Sequence, residues 1–173
     1  MKKTLVLFAH PYFEHSTTNV ELIKAYKDNP DIEFRDLYED YPDFHIQPFR
    51  ERKRIVNYER IVFHFPLLWF GMPPLLKLWI DEVLDMKWIN HQDHNPLSNM
   101  EAIIVVSVGG KEESYTDKGL YRTQLSNLTL GLKLCIETNN MILKDELFIY
   151  QADDIKIFEI KPFTELLKKM LTD

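Results

Sequence analysis

The chain reads as an α/β protein built on a five-stranded parallel sheet with helices on both faces, a three-layer α/β/α arrangement. Three observations predict this. Five short apolar or alternating runs recur along the chain, within residues 5–9, 32–37, 61–63, 102–107 and 142–150. Segments with apolar residues at helical spacing separate them. Most of the runs are apolar on both faces, as strands covered on both sides are. Such alternation implies right-handed crossovers, and a doubly wound sheet of this size most often runs 2-1-3-4-5, with a crevice beside the first and third strands.

Leu5-Val6-Leu7-Phe8-Ala9 is the first strand. Ser16-Thr17-Thr18-Asn19 then supplies N-cap residues for a helix with Val20, Leu22, Ile23 and Tyr26 at its apolar positions. Asp28-Asn29-Pro30-Asp31 ends that helix, and Ile32-Glu33-Phe34-Arg35-Asp36-Leu37 alternates as a more exposed second strand. Residues 38–48 read as irregular and 50–58 as a charged helix. Ile61-Val62-Phe63 is the third strand. It leads into His64-Phe65-Pro66-Leu67-Leu68-Trp69-Phe70-Gly71-Met72-Pro73-Pro74, a strand-to-helix turn whose double proline suits the first turn of a helix. Leu75, Leu76, Trp79, Ile80, Val83 and Leu84 carry that helix. Residues 85–99 are polar and turn-rich, 102–107 form the fourth strand, 123–138 a helix weakened by Gly131, and 142–150 the fifth strand. A last helix falls within residues 154–171, started or interrupted by Pro162.

At 173 residues the chain fits one domain, 1–173, large enough to bury a core without disulfides or metal. A net charge of −6 and the lack of a basic cluster argue against nucleic acid as a partner. Cys135 is the single cysteine, which rules out an intrachain disulfide and suits a reducing cytosol. The run after Met1-Lys2-Lys3 is too short for a signal-peptide core, and no apolar stretch reaches membrane-spanning length. The expected location is the cytoplasm.

Three loops leave carboxyl ends of strands that the predicted order brings together. The first, residues 10–19, offers hydroxyls and helix N-terminal amides suited to a phosphate monoester. It has neither the glycine fingerprint of dinucleotide sites nor a P-loop lysine. The second offers Pro66, Leu67, Leu68, Trp69 and Phe70 as a flat apolar wall, unless these side chains fill core. The third offers Ser107, Val108, Gly109 and Gly110, where missing Cβ atoms allow close backbone approach. Flavin mononucleotide (FMN), with one phosphate, a polyol tail and a planar ring, matches this set. On residue type alone, Ser16-Thr17-Thr18-Asn19 is more often only a helix cap, and Gly109-Gly110 also reads as a simple turn.

The sequence resembles the flavodoxin-like NAD(P)H:quinone oxidoreductases, including the bacterial flavoprotein subunits that regulate glutathione-gated potassium efflux. The matching residues are Phe8-Ala9-His10-Pro11, Ser16-Thr17-Thr18-Asn19, Leu37-Tyr38, Tyr41-Pro42-Asp43-Phe44, His64-Phe65-Pro66-Leu67-Leu68-Trp69-Phe70, Pro73-Pro74-Leu75-Leu76-Lys77-Leu78-Trp79-Ile80-Asp81 and Gly109-Gly110. They span nearly the whole chain in the family's order. The resemblance implies that His10, Ser16, Thr17, Thr18 and Asn19 hold the flavin phosphate and ribityl chain. Pro66, Leu67, Leu68, Trp69 and Phe70 would pack beside the ring, with Ser107, Val108, Gly109 and Gly110 at its pyrimidine edge. It further implies NADH or NADPH as donor, a quinone as acceptor and a ping-pong cycle. FAD stays compatible, and no 2′-phosphate site is legible. A transporter subunit is a further implied partner, which would hold the protein peripherally at the inner face of the membrane.

Two departures bear on the chemistry. Val108 stands where relatives often carry a hydroxyl residue, so it cannot donate from its side chain. Tyr115 matches a proton-handling tyrosine of the mammalian relatives, while Tyr121 falls where they have a histidine; a phenol titrating near ~10 donates a hydrogen bond but rarely carries charge. His15, His45, His91 and His94 show no metal-ligand spacing, so no metal is expected. His64, in a strand, reads as a satisfied core histidine, whereas His10, in a loop, reads as functional. Tyr12, Tyr38, Tyr41, Phe44 and Phe49 form either a homodimer surface or local loop packing.

Overall fold

The computed structural model describes residues 1–27, 29–90 and 95–172. His91, His94 and part of the turn at Asp28 lie outside the described residues. Thr4–Phe8 (β1), Ile32–Asp36 (β2), Arg60–Pro66 (β3), Glu101–Ser107 (β4) and Ile142–Ile149 (β5) form one sheet of order β2-β1-β3-β4-β5. Every neighbouring pair is parallel. Helices at Thr17–Leu22 (α1), Leu37–Asp40 (α2), Pro48–Ile55 (α3), Pro74–Val83 (α4), Met86–Asn90 (α5), Leu125–Leu128 (α6), Leu130–Thr138 (α7) and Ile157–Thr172 (α8) connect the strands.

The period-two alternation of strands sorts the core into two layers. Leu5, Leu7, Ile61, Phe63, Phe65, Ala102, Ile104 and Val106 pack against α4, with Leu75, Leu76, Trp79, Ile80 and Val83, and against Leu132 and Ile136 of α7. Val6, Val62, Ile103, Val105, Leu147 and Ile149 face the other way, onto Leu22 of α1, the following turn with Ala25 and Tyr26, and Ile160, Leu167 and Leu171 of α8. Each such side chain, fully buried, contributes roughly 1.5–3 kcal/mol of transfer free energy.

Four local differences from the sequence-based expectations have physical causes. The irregular stretch after β2 begins with α2, because the Asp36 side chain caps it by accepting from the Tyr38 amide at 2.9 Å. The helix expected over 123–138 is broken at Thr129, whose hydroxyl donates to the Ser126 carbonyl at 3.0 Å. The polar stretch after α4 holds α5. Pro162 lies inside α8 and neither starts nor ends it; the i−4 residue, Phe158, is 67% exposed, so water can serve the carbonyl that loses its partner.

The aromatics after β2 are not one surface. Tyr41 is buried, donating to Glu51 at 2.6 Å, and the Trp79 indole donates to the same carboxylate at 2.9 Å. Arg54 pairs with Glu51 as well, so this buried acid is fully engaged. Tyr38 is half-buried against the core, whereas Tyr12, Phe44 and Phe49 are exposed. Cys135 is partly buried, and burial pushes its thiol up.

Candidate functional site

The register aligns the carboxyl ends of β1, β3 and β4: Phe8 pairs with His64, and Pro66 with Ser107. The loops that follow these strands meet at one cavity of about 210 Å³. His10, Ser16, Asn19, Pro66, Leu67, Leu68, Ser107, Val108 and Gly109 line it. A fourth loop, after β5, adds Ala152 and Asp153, and Tyr12 and His15 also face it. The sequence reading did not name Ala152 or Asp153. The usable signal was the strand order itself, which sets the end of β5 beside Ser107.

The first loop is rich in donors. Ser16 caps α1, its oxygen accepting from the Asn19 amide at 3.3 Å and from Asn19 Nδ2 at 2.8 Å. The amides of Thr17 and Thr18 open the helix and so have no intrahelical acceptor. His10 Nδ1 accepts from the Tyr12 amide at 3.2 Å, which leaves the proton of the neutral ring on Nε2. Burial lowers the His10 pKa, while Asp153 across the cavity works in the opposite direction. Thr18 differs from its expected use: its side chain is fully buried and donates to the Ala152 carbonyl at 2.6 Å, so only its backbone amide remains for a ligand.

Beneath this loop lies a buried polar array. Asn19 Nδ2 also donates to Ser107 Oγ at 3.1 Å, and Asn19 Oδ1 lies 2.9 Å from His64 Nε2. Tyr26 Oη lies 2.9 Å from His64 Nδ1. His64 is the satisfied core histidine expected; burial, with a smaller part from His10, drives its pKa down to about 3, so the ring is neutral.

The second loop is a tight two-residue hairpin. Leu68 and Gly71 exchange backbone hydrogen bonds at 2.9 and 3.0 Å. Trp69 and Phe70 occupy its tip at φ 46° and 66°. Both lie in the left-handed region that bulky residues avoid, a strain of order 1–3 kcal/mol each that tends to collect at functional sites. The strain holds Trp69 in the open, 94% exposed. These two aromatics therefore do not fill core, and they do not line the cavity that holds His10 and Ser16.

In the third loop the Val108 amide donates to the Ile149 carbonyl at 2.9 Å, so it is not available to a ring edge as expected. The amides of Gly109 and Gly110 have no protein acceptor among the described residues. A Cβ on Gly109 would come within 2.3 Å of Asp153 Oδ2, and one on Gly110 within 2.9 Å of the Tyr115 ring. Only the first clash is with the end of a movable side chain. Tyr115 is buried and Tyr121 half-exposed, with ring centroids 4.9 Å apart; Tyr121 meets Phe70 at 5.0 Å. Burial, then Tyr121 and Tyr150, raise the Tyr115 pKa, so its phenol keeps its proton. The two tyrosines thus join the hairpin tip to the third loop, on the far side of Gly110 from His10 and Ser16.

The donors at Ser16, Thr17, Thr18 and His10 fit an anionic phosphate, and Pro66, Leu67 and Leu68 present apolar contact beside them. The Asp153 carboxylate beside Gly109 is an acceptor of the right sign for the imide N–H of a flavin pyrimidine. The residues present therefore fit FMN. Among the described residues, no group of three acidic, histidine or cysteine side chains could hold a metal ion.

Comparison with known proteins identifies the chain's relatives. An uncharacterized NAD(P)H oxidoreductase of Bacillus subtilis (strain 168), YdeQ, is 34% identical over 171 residues, covering 99% of this chain and 87% of its own. The glutathione-regulated potassium-efflux system ancillary protein KefF of Citrobacter koseri is 33% identical over 111 residues, covering 64% of this chain and 63% of its own. A crystal structure described as a thermophilic tryptophan halogenase from Streptomycin violaceusniger is 32% identical and superposes with a TM-score of 0.90 over 98% of both chains. General stress protein 14 of Treponema denticola, solved in complex with FMN, is 24% identical, with a TM-score of 0.85 over 97% of this chain and 99% of its own, a likeness of fold. The family model described as "Flavodoxin-like fold" matches residues 2–159, and the chain belongs to that family.

Proposed function

We propose that this chain is an FMN-dependent NAD(P)H:quinone oxidoreductase. One observation carries the reading: hydrogen-bond donors without protein acceptors converge on a cavity walled by Pro66, Leu67 and Leu68, at the sheet edge where α/β folds bind ligands. The relative named as an NAD(P)H oxidoreductase supports it. Bound FMN supplies a two-electron acceptor for hydride from a nicotinamide and a two-electron donor to a quinone, with overall conversion of NAD(P)H, a proton and a quinone to NAD(P)+ and a hydroquinone.

The chain's residues then have distinct tasks. Ser16, the Thr17 and Thr18 amides and His10 Nε2 hold the phosphate end, and Asn19 braces them. Leu67 and Leu68 exclude water from one side of the ring, while Trp69 and Phe70 stand outside the cavity, at the hairpin tip beside it. The Gly109 and Gly110 amides and the Ser107 hydroxyl point fixed dipoles at the edge that becomes negative on reduction, the most effective place for them. Val108 seals the edge from behind without a donor. Tyr115 and Tyr121, outside that cavity, are assigned as phenol donors to an acceptor oxygen. NADH and NADPH share the site in turn with the quinone, which makes the cycle ping-pong. A homodimer covering Trp69, Phe70 and Tyr12 would explain why large aromatics stand open to water. The cytoplasm, where nicotinamides are held, is the fitting location.

The similarity to KefF favours a second role on the same fold, as a flavin-bearing regulatory subunit of a potassium-efflux transporter. Initial rates of NADH and NADPH oxidation with a benzoquinone test the first role. Parallel double-reciprocal plots are expected; absence of turnover by FMN-loaded protein would leave only the second.

A further inference from the structure

The orientation of the Asn19 amide sets the polarity of the array of Tyr26, His64 and Asn19. An amide Oδ1 only accepts, so His64 Nε2 must carry the hydrogen in the 2.9 Å contact with Asn19. The neutral ring then has a bare Nδ1, which accepts from the Tyr26 hydroxyl at 2.9 Å. With Oδ1 on His64, both hydrogens of Nδ2 go to serine oxygens, Ser16 at 2.8 Å and Ser107 at 3.1 Å. Ser16 also accepts from the Asn19 backbone amide, which fills its second lone pair. Neither serine hydroxyl donates to a protein acceptor among the described residues, and both line the cavity. The hydroxyl hydrogens are what remains of each serine's capacity.

We propose that His64 is a positioning residue that locks Asn19, and so presents Ser16 and Ser107 to the cavity as hydrogen-bond donors. The site is thereby selective for a ligand with an accepting phosphate oxygen at Ser16 and a carbonyl-type acceptor at Ser107. This rests on the flavin reading for the ligand, although not for the polarity of the array. Without the lock, an inverted Asn19 amide would draw both hydroxyl hydrogens to itself. His64→Gln keeps one donor and one acceptor, His64→Leu keeps neither, and Asn19→Asp turns the brace into an acceptor only.

The test pairs a spectrum with a binding ratio. In the ligand-free wild type, nitrogen chemical shifts of 15N-labelled histidine should show His64 protonated on Nε2; protonation on Nδ1 overturns the proposal. The affinity ratio for FMN over riboflavin reads the phosphate contact directly. It should fall about tenfold or more in His64→Leu and Asn19→Asp, the worth of one lost hydrogen bond to a charged group, and stay within about threefold in His64→Gln. A folded His64→Leu protein with an undiminished ratio would also overturn it. Should the wild type bind neither flavin, the functional reading falls, and the tautomer alone decides the array.

Discussion

The two ends of β3 and β4 carry buried polar clusters of opposite character. At the amino end, Arg60 pairs with Glu101 through Nε at 2.9 Å and Nη2 at 2.7 Å, its Nη1 donates to the Leu171 carbonyl, and Lys2 joins Glu101 from the surface. The Glu101 pKa is lowered: burial alone would raise it, and Lys2 and Arg60 outweigh burial. Each guanidinium nitrogen faces an acceptor, and Arg60 itself is buried. At the carboxyl end, Tyr26, His64 and Asn19 are satisfied, but the chain of bonds stops at two serine hydroxyls with hydrogens to spare, above a cavity. The first cluster is closed on itself; on the proposed function, the open one is finished by the bound flavin.

That contrast can be broken experimentally. Glu101→Ala strands a buried guanidinium and should cost about 3–5 kcal/mol of stability, read by denaturant unfolding, with flavin affinity of the folded fraction unchanged. An affinity loss there would mean that the two ends are not independent. Ser16→Ala reverses the balance. Loss of the cap costs about 1 kcal/mol, but flavin affinity should fall about 10-fold or more, as a hydrogen bond to a charged group disappears. Flavin titration of the variant would show it.

Trp69→Asn relieves an aromatic held at φ 46° and should raise stability by about 1 kcal/mol or less while weakening flavin retention. A stability gain without loss of flavin would remove the hairpin tip from the site. A pH slope is a separate readout. The unfolded His64 imidazole takes up a proton below its ordinary 6.5, while the native one stays neutral until about 3. The unfolded state therefore binds more protons in that window, and stability should decline as pH falls from about 6.5 toward 3. His64→Gln should flatten that part of the profile.

The layering of the fold was legible because strand alternation is a local property: Leu5 and Leu7 go one way and Val6 the other. The meeting of the first, second and third loops followed from strand order. What was hidden depends on long-range partners. Tyr41 looks like a surface aromatic until Glu51 is seen beneath it. Thr18 looks like a phosphate ligand until the Ala152 carbonyl takes its hydroxyl. Val108 lost its amide to Ile149 across the sheet, and Asp153 entered the site from a strand whose loop carried no motif. His64 was readable as a core residue, but its link to Asn19 spans 45 positions that no local pattern connects. For the same reason, a side chain added by Gly109→Val first displaces the Asp153 carboxylate, whereas Gly110→Ala meets the buried Tyr115 ring.

The central claim is that the carboxyl-end mouth grips a flavin through a donor-lined phosphate seat. The most direct measurement is the cofactor released by heat from freshly purified protein, together with uptake of added FMN by the stripped chain. The account predicts yellow protein yielding close to one FMN per chain and saturable rebinding. A colourless preparation that takes up no FMN would contradict it.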